Sequence, residues 1–218
     1  APPLGLSSTA YRLARSIDGA HIYALGGDTV TIIDATTLGV IRAFPIGASA
    51  SQFVAHPDGQ RIFVVHSTGT TESGDGDSVT AYDLSTGATL GHIPLSDIRA
   101  STSYWPGPSV VYSPSRAGPA AIAGAGHRLF VPRSSHAAQK GGALYTNEVV
   151  DVIDTQLYAV LASLAPPAPA ISAWPGTTVV SAVPGATEVH VASFRETWRI
   201  DTTSLLATHT TAGIVGVR

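Results

Sequence analysis

Apolar residues recur along this chain in short runs separated by turns rich in Gly, Asp, Ser and Thr. Four of the runs end in the same way, with an Asp followed by a Thr/Ser-rich turn: Asp34, Asp83, Asp154 and Asp201. Each is preceded by a second apolar run, at 22–25, 62–65, 129–132 and 189–192. A repeated strand–turn–strand unit is typical of radial and solenoid β architectures.

Each repeat has room for four strands. First strands are predicted at 11–14, 52–55, 109–112 and 178–182, and fourth strands at 40–44, 89–93, 159–164 and 205–209. Gly and Asp in the intervening turns supply the positive φ that tight hairpins need. Four antiparallel strands in a repeat of about 40 residues form a β-propeller blade. We therefore predict an all-β fold in one domain, 1–218: a small propeller of four blades, with a five-bladed or partial propeller as the alternative.

Two segments resemble the YVTN-type β-propeller repeats of bacterial surface and periplasmic proteins. They are HPDGQRIFVV at residues 56–65 and VDVIDT at residues 150–155. The resemblance extends over nearly the whole chain and implies a propeller outside the cytoplasm. Members of that family usually have more blades than the four that fit here.

The composition narrows the functional classes. A net charge of −3 gives no basic surface for nucleic acid, and no apolar run is long enough to span a bilayer. The chain begins at Ala1 rather than at an initiator, which suggests a processed precursor or a trimmed chain. The lack of Cys and Met is compatible with a protein outside the cytoplasm, which we expect here. A homo-oligomer is compatible with these features.

Long connections fall mainly at one end of the repeats. The link between second and third strands is minimal at 26–28 but expands at 66–77 and 133–147. Links between repeats, at 96–108 and 166–176, emerge on the same face of a propeller. Since long loops on a rigid scaffold commonly carry function, we expect the binding site on this face. One insertion, 115–125, maps to the opposite face.

Four residues of these loops are candidates for catalysis. His66 and His136 offer a base or a metal ligand, and Arg133 and Arg195 offer cations that stabilise an anion or a polarised carbonyl. The alternative is that the histidines are solvated loop residues and the arginines are structural.

Aromatic residues of the same loops are candidates for ligand binding. Trp105 and Trp174 each begin a Trp-Pro-Gly sequence, and Tyr104 and Tyr145 lie in the same loops. Such rings wall a pocket by stacking or cation–π contact. Packing between blades is an equally good explanation of both Trp-Pro-Gly sequences.

The acidic residues have two interpretations. Glu72, Asp75 and Asp77 are closely spaced in a flexible loop, as hard divalent cations such as calcium require, although a solvated acidic loop is the alternative. The repeated Asp residues are predicted to cap the turns that follow them, since an Asx side chain accepts backbone N–H groups two or three residues ahead.

Two functions from different classes follow. The first is an extracytoplasmic propeller that binds a small molecule or a protein through its loop-rich face. The second is a propeller enzyme, a metal-assisted lyase, cyclase or hydrolase, with His66 and His136 as base or ligands beside Arg133 or Arg195. Fold alone does not separate them, because propellers serve both roles.

Overall fold

A computed structural model describes residues 10–67, 77–96, 98, 110–139, 144–165, 179–182, 185–192 and 197–210. For residues 110–116, 135–139, 144–147, 209 and 210 the description is limited to the backbone. The described residues form strands and turns without helix, so none of their segments is a helix long and apolar enough to cross a membrane.

Seventeen strands lie within these ranges. They are β1 (Arg12–Arg15), β2 (His21–Gly26), β3 (Thr29–Asp34), β4 (Val40–Pro45), β5 (Ala50–Ala55), β6 (Arg61–His66), β7 (Ser78–Asp83), β8 (Thr89–Pro94), β9 (Val110–Ala117), β10 (Ala121–Ala123), β11 (Arg128–Gln139), β12 (Leu144–Asp154), β13 (Ala159–Leu164), β14 (Val179–Ser181), β15 (Glu188–Ala192), β16 (Thr197–Asp201) and β17 (Ala207–Thr210).

The strands form four antiparallel sheets in which consecutive strands are neighbours. Three sheets have the order β1-β2-β3-β4, β5-β6-β7-β8 and β14-β15-β16-β17. The remaining sheet runs β10-β11-β12-β13, with β9 paired to β11 as a fifth strand. The predicted fold class, all-β with four propeller-type repeats of antiparallel strands, is confirmed.

Burial explains the apolar runs of the sequence. In the fourth sheet, β15 alternates between buried and exposed residues. The middle strands of the first three sheets are largely covered on both faces, and Ile62, Phe63, Val64 and Val65 of β6 are all fully buried. A strand covered on both faces has a continuous apolar run rather than an alternating one. The fourth strands are largely exposed, which explains their mixed composition.

Two compact units divide the chain, the first holding β1–β8 and the second β9–β17. The core of the first unit joins its two sheets through residues such as Leu25, Val30, Phe44 and Val64. The core of the second unit contains Trp198. Its other members are Ala123, Phe130, Val150, Val152, Val180, Val189, Val191 and Ile200.

The repeated Asp residues cap turns, as the sequence predicts. Asp34 Oδ1 accepts the backbone N–H groups of residues 36 and 37, at 2.8 and 2.6 Å. Asp201 Oδ1 accepts those of residues 203 and 204, at 3.0 and 2.7 Å. Asp83 and Asp154 accept equivalent bonds. Hydrogen bonds within the turns hold the pKa of all four carboxyl groups below the ordinary value, chiefly from the Ser85 hydroxyl at Asp83 and from backbone N–H groups at the other three.

The third repeat differs from its prediction. Residues 110–112 of the predicted first strand, 109–112, are part of the longer β9, and the predicted insertion at 115–125 contains the end of β9 and all of β10. In the sequence, Pro114 suggests the end of a strand, but in the structure it lies within β9, at the edge of the sheet. An edge strand tolerates a missing N–H, and a bulge between Ser134 and His136 of β11 adjusts the register opposite it.

The predicted loop at 133–147 is also mostly strand. β11 continues to Gln139 and β12 begins at Leu144, so that the two form a long hairpin. β9 pairs with the same extension of β11, from Arg133 to Gln139. The polar sequence of this segment has no alternating apolar pattern that would predict a strand. The segment pairs instead with β9, more than 15 residues earlier in the chain, and such a non-local contact leaves no local pattern.

Candidate functional site

The sequence-predicted site residues fall into three groups. The side chains of His66, Arg133 and Asp77 are described, and His136 and Tyr145 are placed by their backbone alone. The others lie outside the described residues: Glu72, Asp75, Tyr104, Trp105, Trp174 and Arg195. Their assignment to one binding site stays a prediction.

His66 is the last residue of β6 and lies beneath the link that joins the first two sheets. Its side chain is buried, and the residue is 8% exposed. The ring Nδ1 lies 3.1 Å from the carbonyl oxygen of Ala48. Because a carbonyl oxygen only accepts, Nδ1 carries the proton and donates. Nε2 is then a buried acceptor, and it has no partner among the residues described.

The link beneath which His66 lies is held at three points. Tyr82 of β7 donates its hydroxyl to the carbonyl of Ile46 at 2.6 Å, His66 donates to Ala48, and Tyr11 donates to Ala50 at 2.6 Å. The backbone between these points has positive φ at Gly47 (83°) and Ser49 (64°). A serine in the left-handed region is maintained only by surrounding contacts.

Burial is the main cause of a lowered pKa at His66. Removing the ring from water disfavours its charged form, and the positive charge that His92 carries when protonated acts in the same direction. The hydrogen bond to Ala48 opposes both effects. His92 lies on β8, where its Nδ1 is 3.1 Å from Thr80 Oγ1. The ring of His66 therefore stays neutral further into the acid range than an exposed histidine.

Arg133 lies on β11 in a buried ion pair. Its Nε is 2.5 Å from Asp151 Oδ2 on β12, and both side chains are 1% exposed. Ser163 of β13 donates its hydroxyl to the other oxygen of Asp151 at 2.5 Å. Arg133 Nη1 donates to the carbonyl of Ser96 at 2.7 Å. The guanidinium therefore contacts a carboxylate and a link between sheets.

His66 and Arg133 occupy comparable positions and make comparable contacts. Each lies near the point where the second strand leaves the blade of its repeat, and each donates to a carbonyl in the link that precedes its own sheet, Ala48 or Ser96. Those links begin alike, because Ile46 and Leu95 each donate a backbone N–H to the carbonyl of an Asp, Asp28 and Asp77. Both side chains therefore hold in place the link that precedes their own sheet.

The remaining predicted residues contribute less to a shared site. His136 and Tyr145 lie on adjacent strands of the long hairpin, where His136 pairs with Thr146 and Tyr145 with Ala137. Asp77 is buried before β7. Within the described ranges, no three His, Asp or Glu side chains are grouped as a metal site would require. The cation site that includes Glu72 and Asp75 stays a prediction.

A shallow, open pocket of about 300 Å³ lies at the β14–β15 hairpin. Its lining contains Ser181, Thr187, Glu188 and His190, with Ala182 and Ala186. Arg199 lies 3.4 Å from Glu188 there, but the pair is largely exposed. Exposed ion pairs of this kind contribute little to stability or binding. The sequence analysis did not identify this pocket.

Sequence reasoning also missed the partners that define the roles of His66 and Arg133. Asp151 lies inside the apolar run of β12. A lone carboxylate in such a run is the one sequence signal of a buried ion pair, since an unpaired charge is rarely buried. Ala48 contributes its backbone only, so no residue type could indicate it.

Comparisons with known proteins show the fold and no family. No family model matches the chain, and no curated protein matches it. Hydrazine synthase of Kuenenia stuttgartiensis is similar in structure, with a TM-score of 0.56, 18% identity, and coverage of 88% of this chain and 51% of that one. The chain thus spans about half the length of that protein.

Two further structures are similar. The extracellular domain of a protein described as a one-component system of B. thetaiotaomicron has a TM-score of 0.55 and 10% identity, covering 92% of this chain and 23% of that one. The Cps50 (Swd1) β-propeller domain of Myceliophteria thermophila has 12% identity and covers 94% of this chain and 72% of that one. The TM-score with that domain is 0.48. At these identities the likeness extends to the fold alone.

Proposed function

We propose that this protein is an extracytoplasmic β-propeller that binds a protein or small-molecule ligand at the end of its repeats where β11 and β12 extend. The supporting observation is the length of that hairpin. β11 has 12 residues and β12 has 11, against six in each middle strand of the first two sheets. The extension also recruits β9 as a third strand.

A three-stranded extension is a better platform for binding than a loop. Its central strand, β11, pairs with β9 on one side and β12 on the other, so that less conformational entropy is lost when a ligand binds. His136 and Tyr145, both candidates from the sequence, lie on it. The location outside the cytoplasm rests on the absence of Cys and Met, on the YVTN-type resemblance, and on the extracellular domain with a similar fold.

The enzyme alternative gains no support from the described side chains. Arg133 is already matched by Asp151, so stabilising a developing negative charge would require this buried pair to separate. His66 donates to a backbone carbonyl and is buried. Both contacts favour a positioning role.

Site-specific photo-crosslinking tests the proposal. A photoreactive phenylalanine analogue is placed at His136 or at Tyr145, and the purified proteins are irradiated with an extract of the source cells. The matched control carries the same analogue at Leu157, which is 74% exposed in the turn at the opposite end of the same sheet. Defined adducts at 136 or 145 and none at 157 support the proposal. Equal adducts at all three positions, or none at 136 and 145, contradict it.

A further inference from the structure

The first unit contains a buried histidine, His66, whose surroundings favour the neutral ring. His66 Nδ1 donates to Ala48, which fixes the tautomer and leaves Nε2 as an acceptor. That atom is buried and has no partner among the described residues. Protonation would place a second N–H group, with a positive charge, at a buried atom that has no acceptor among the described residues. The charged form is therefore incompatible with the position that the ring occupies.

Among the described residues, one further imidazole, that of His92, acts on the ring of His66. The link, residues 46–49, and the beginning of β5 have no titratable side chain. On β7, Tyr82 directs its hydroxyl to Ile46 rather than to His66, and buried Asp77 immediately precedes that strand. On β8, His92 is close enough to disfavour a second positive charge. Acidification therefore adds repulsion when His92 is protonated.

We propose that His66 is an acid-sensitive latch on the link between the first two sheets. The neutral ring holds the carbonyl of Ala48, and protonation expels the ring and releases that carbonyl. Tyr82 and Tyr11 hold the carbonyls of Ile46 and Ala50 through hydroxyl groups that do not titrate in this range. The opening is therefore confined to residues 47–49, where the backbone has positive φ at Gly47 and Ser49. This conformational device is independent of the ligand that the protein binds.

Amide hydrogen exchange measured by NMR tests the latch. The reporter is the N–H of Ser67, which donates to the carbonyl of Ser49 at 3.0 Å and follows His66 directly. A control amide is that of Ala35, which donates to Ala20 at the other end of the first sheet. After correction for intrinsic exchange, the opening constant at Ser67 should rise by up to about tenfold per pH unit below about pH 6.5, because opening takes up one proton. The constant at Ala35 should not change.

Two variants make the test specific. His66→Asn places an amide donor close to the position of Nδ1 without a titratable ring, and its Ser67 amide should show no pH dependence in the opening constant. His92→Gln should leave the pH dependence in place. A pH-independent opening constant in the natural sequence, or the same pH dependence in His66→Asn, would overturn the latch. If His66→Asn does not fold, the NMR titration of the His66 ring decides, because a midpoint at or above about 6.5 is incompatible with it.

Discussion

Arg133 and Asp151 form an ion pair across β11 and β12 with Nε and Oδ2 2.5 Å apart, and both side chains are almost completely buried. Ser163 and the carbonyl of Ser96 occupy further hydrogen-bonding positions of the pair. A buried pair of this kind is strongly destabilising when one partner alone is removed, because the other remains as an uncompensated charge. Its position ties three neighbouring strands to the link at Ser96.

We expect Arg133→Met and Asp151→Leu to lower the free energy of unfolding by about 3–5 kcal/mol each. The double variant should recover most of that loss, since two apolar side chains leave no buried charge. Urea denaturation of the four proteins gives the coupling energy directly. Additive losses in the double variant would show that the two side chains do not depend on each other.

The packing of the first two sheets against each other can be tested by substituting Gly87. A Cβ at Gly87 would lie 2.8 Å from Phe44 Cβ, whereas a Cβ at Gly59 would meet nothing within 4 Å. Both glycines have positive φ, of 76° and 69°, so alanine is strained at each by a similar amount. Thermal denaturation should show a larger loss for Gly87→Ala than for Gly59→Ala. Equal losses would contradict the packing of the turn at Gly87 against Phe44.

The repeat and its strands could be predicted because the information is local. The apolar runs of the first three repeats mark strands buried on both faces, the run at 189–192 lies in a strand buried on one face, and each Asp caps the turn beside it. The site could not be predicted in the same way. The partners of His66 and Arg133 are a backbone carbonyl, a carboxylate inside an apolar run, and strands distant in the sequence. Of these contacts, only the carboxylate inside the apolar run leaves a signal in the residue types.

The capping role predicts the behaviour of Asp154→Ala. Asp154 accepts the N–H groups of residues 156 and 157 through Oδ1 and pairs with Arg128 through Oδ2 at 2.8 Å. Loss of the cap should lower the free energy of unfolding by about 1–2 kcal/mol. Asp154→Asn should lose less, because its amide oxygen still accepts. A stable Asp154→Ala protein in urea denaturation would show that the cap contributes nothing.

Acid should destabilise the protein through the carboxyl groups of the four turn-capping residues, Asp34, Asp83, Asp154 and Asp201. Their pKa is lowered in the folded state, chiefly by turn hydrogen bonds, so the folded protein binds their protons less readily than the unfolded chain. The stabilisation is complete above the unfolded pKa of about 3.9 and is lost as the pH falls through the folded values. Melting temperatures between pH 5 and pH 2 should decline less steeply in Asp83→Asn and Asp201→Asn. If the melting temperatures of the variants and of the natural sequence decline in parallel, these caps are not the cause of the loss of stability in acid.

Shortening the long hairpin tests the binding surface most directly. Replacing residues 136–146 by Asn-Gly joins Ser135 to Asn147, which are already paired, through a two-residue turn. Binding of the crosslinked partner, or of partners retained from the source-cell extract, is then measured beside the melting temperature. The shortened protein should fold and retain its cooperative unfolding, and its binding should be abolished. A shortened protein that binds as the natural one does would contradict it.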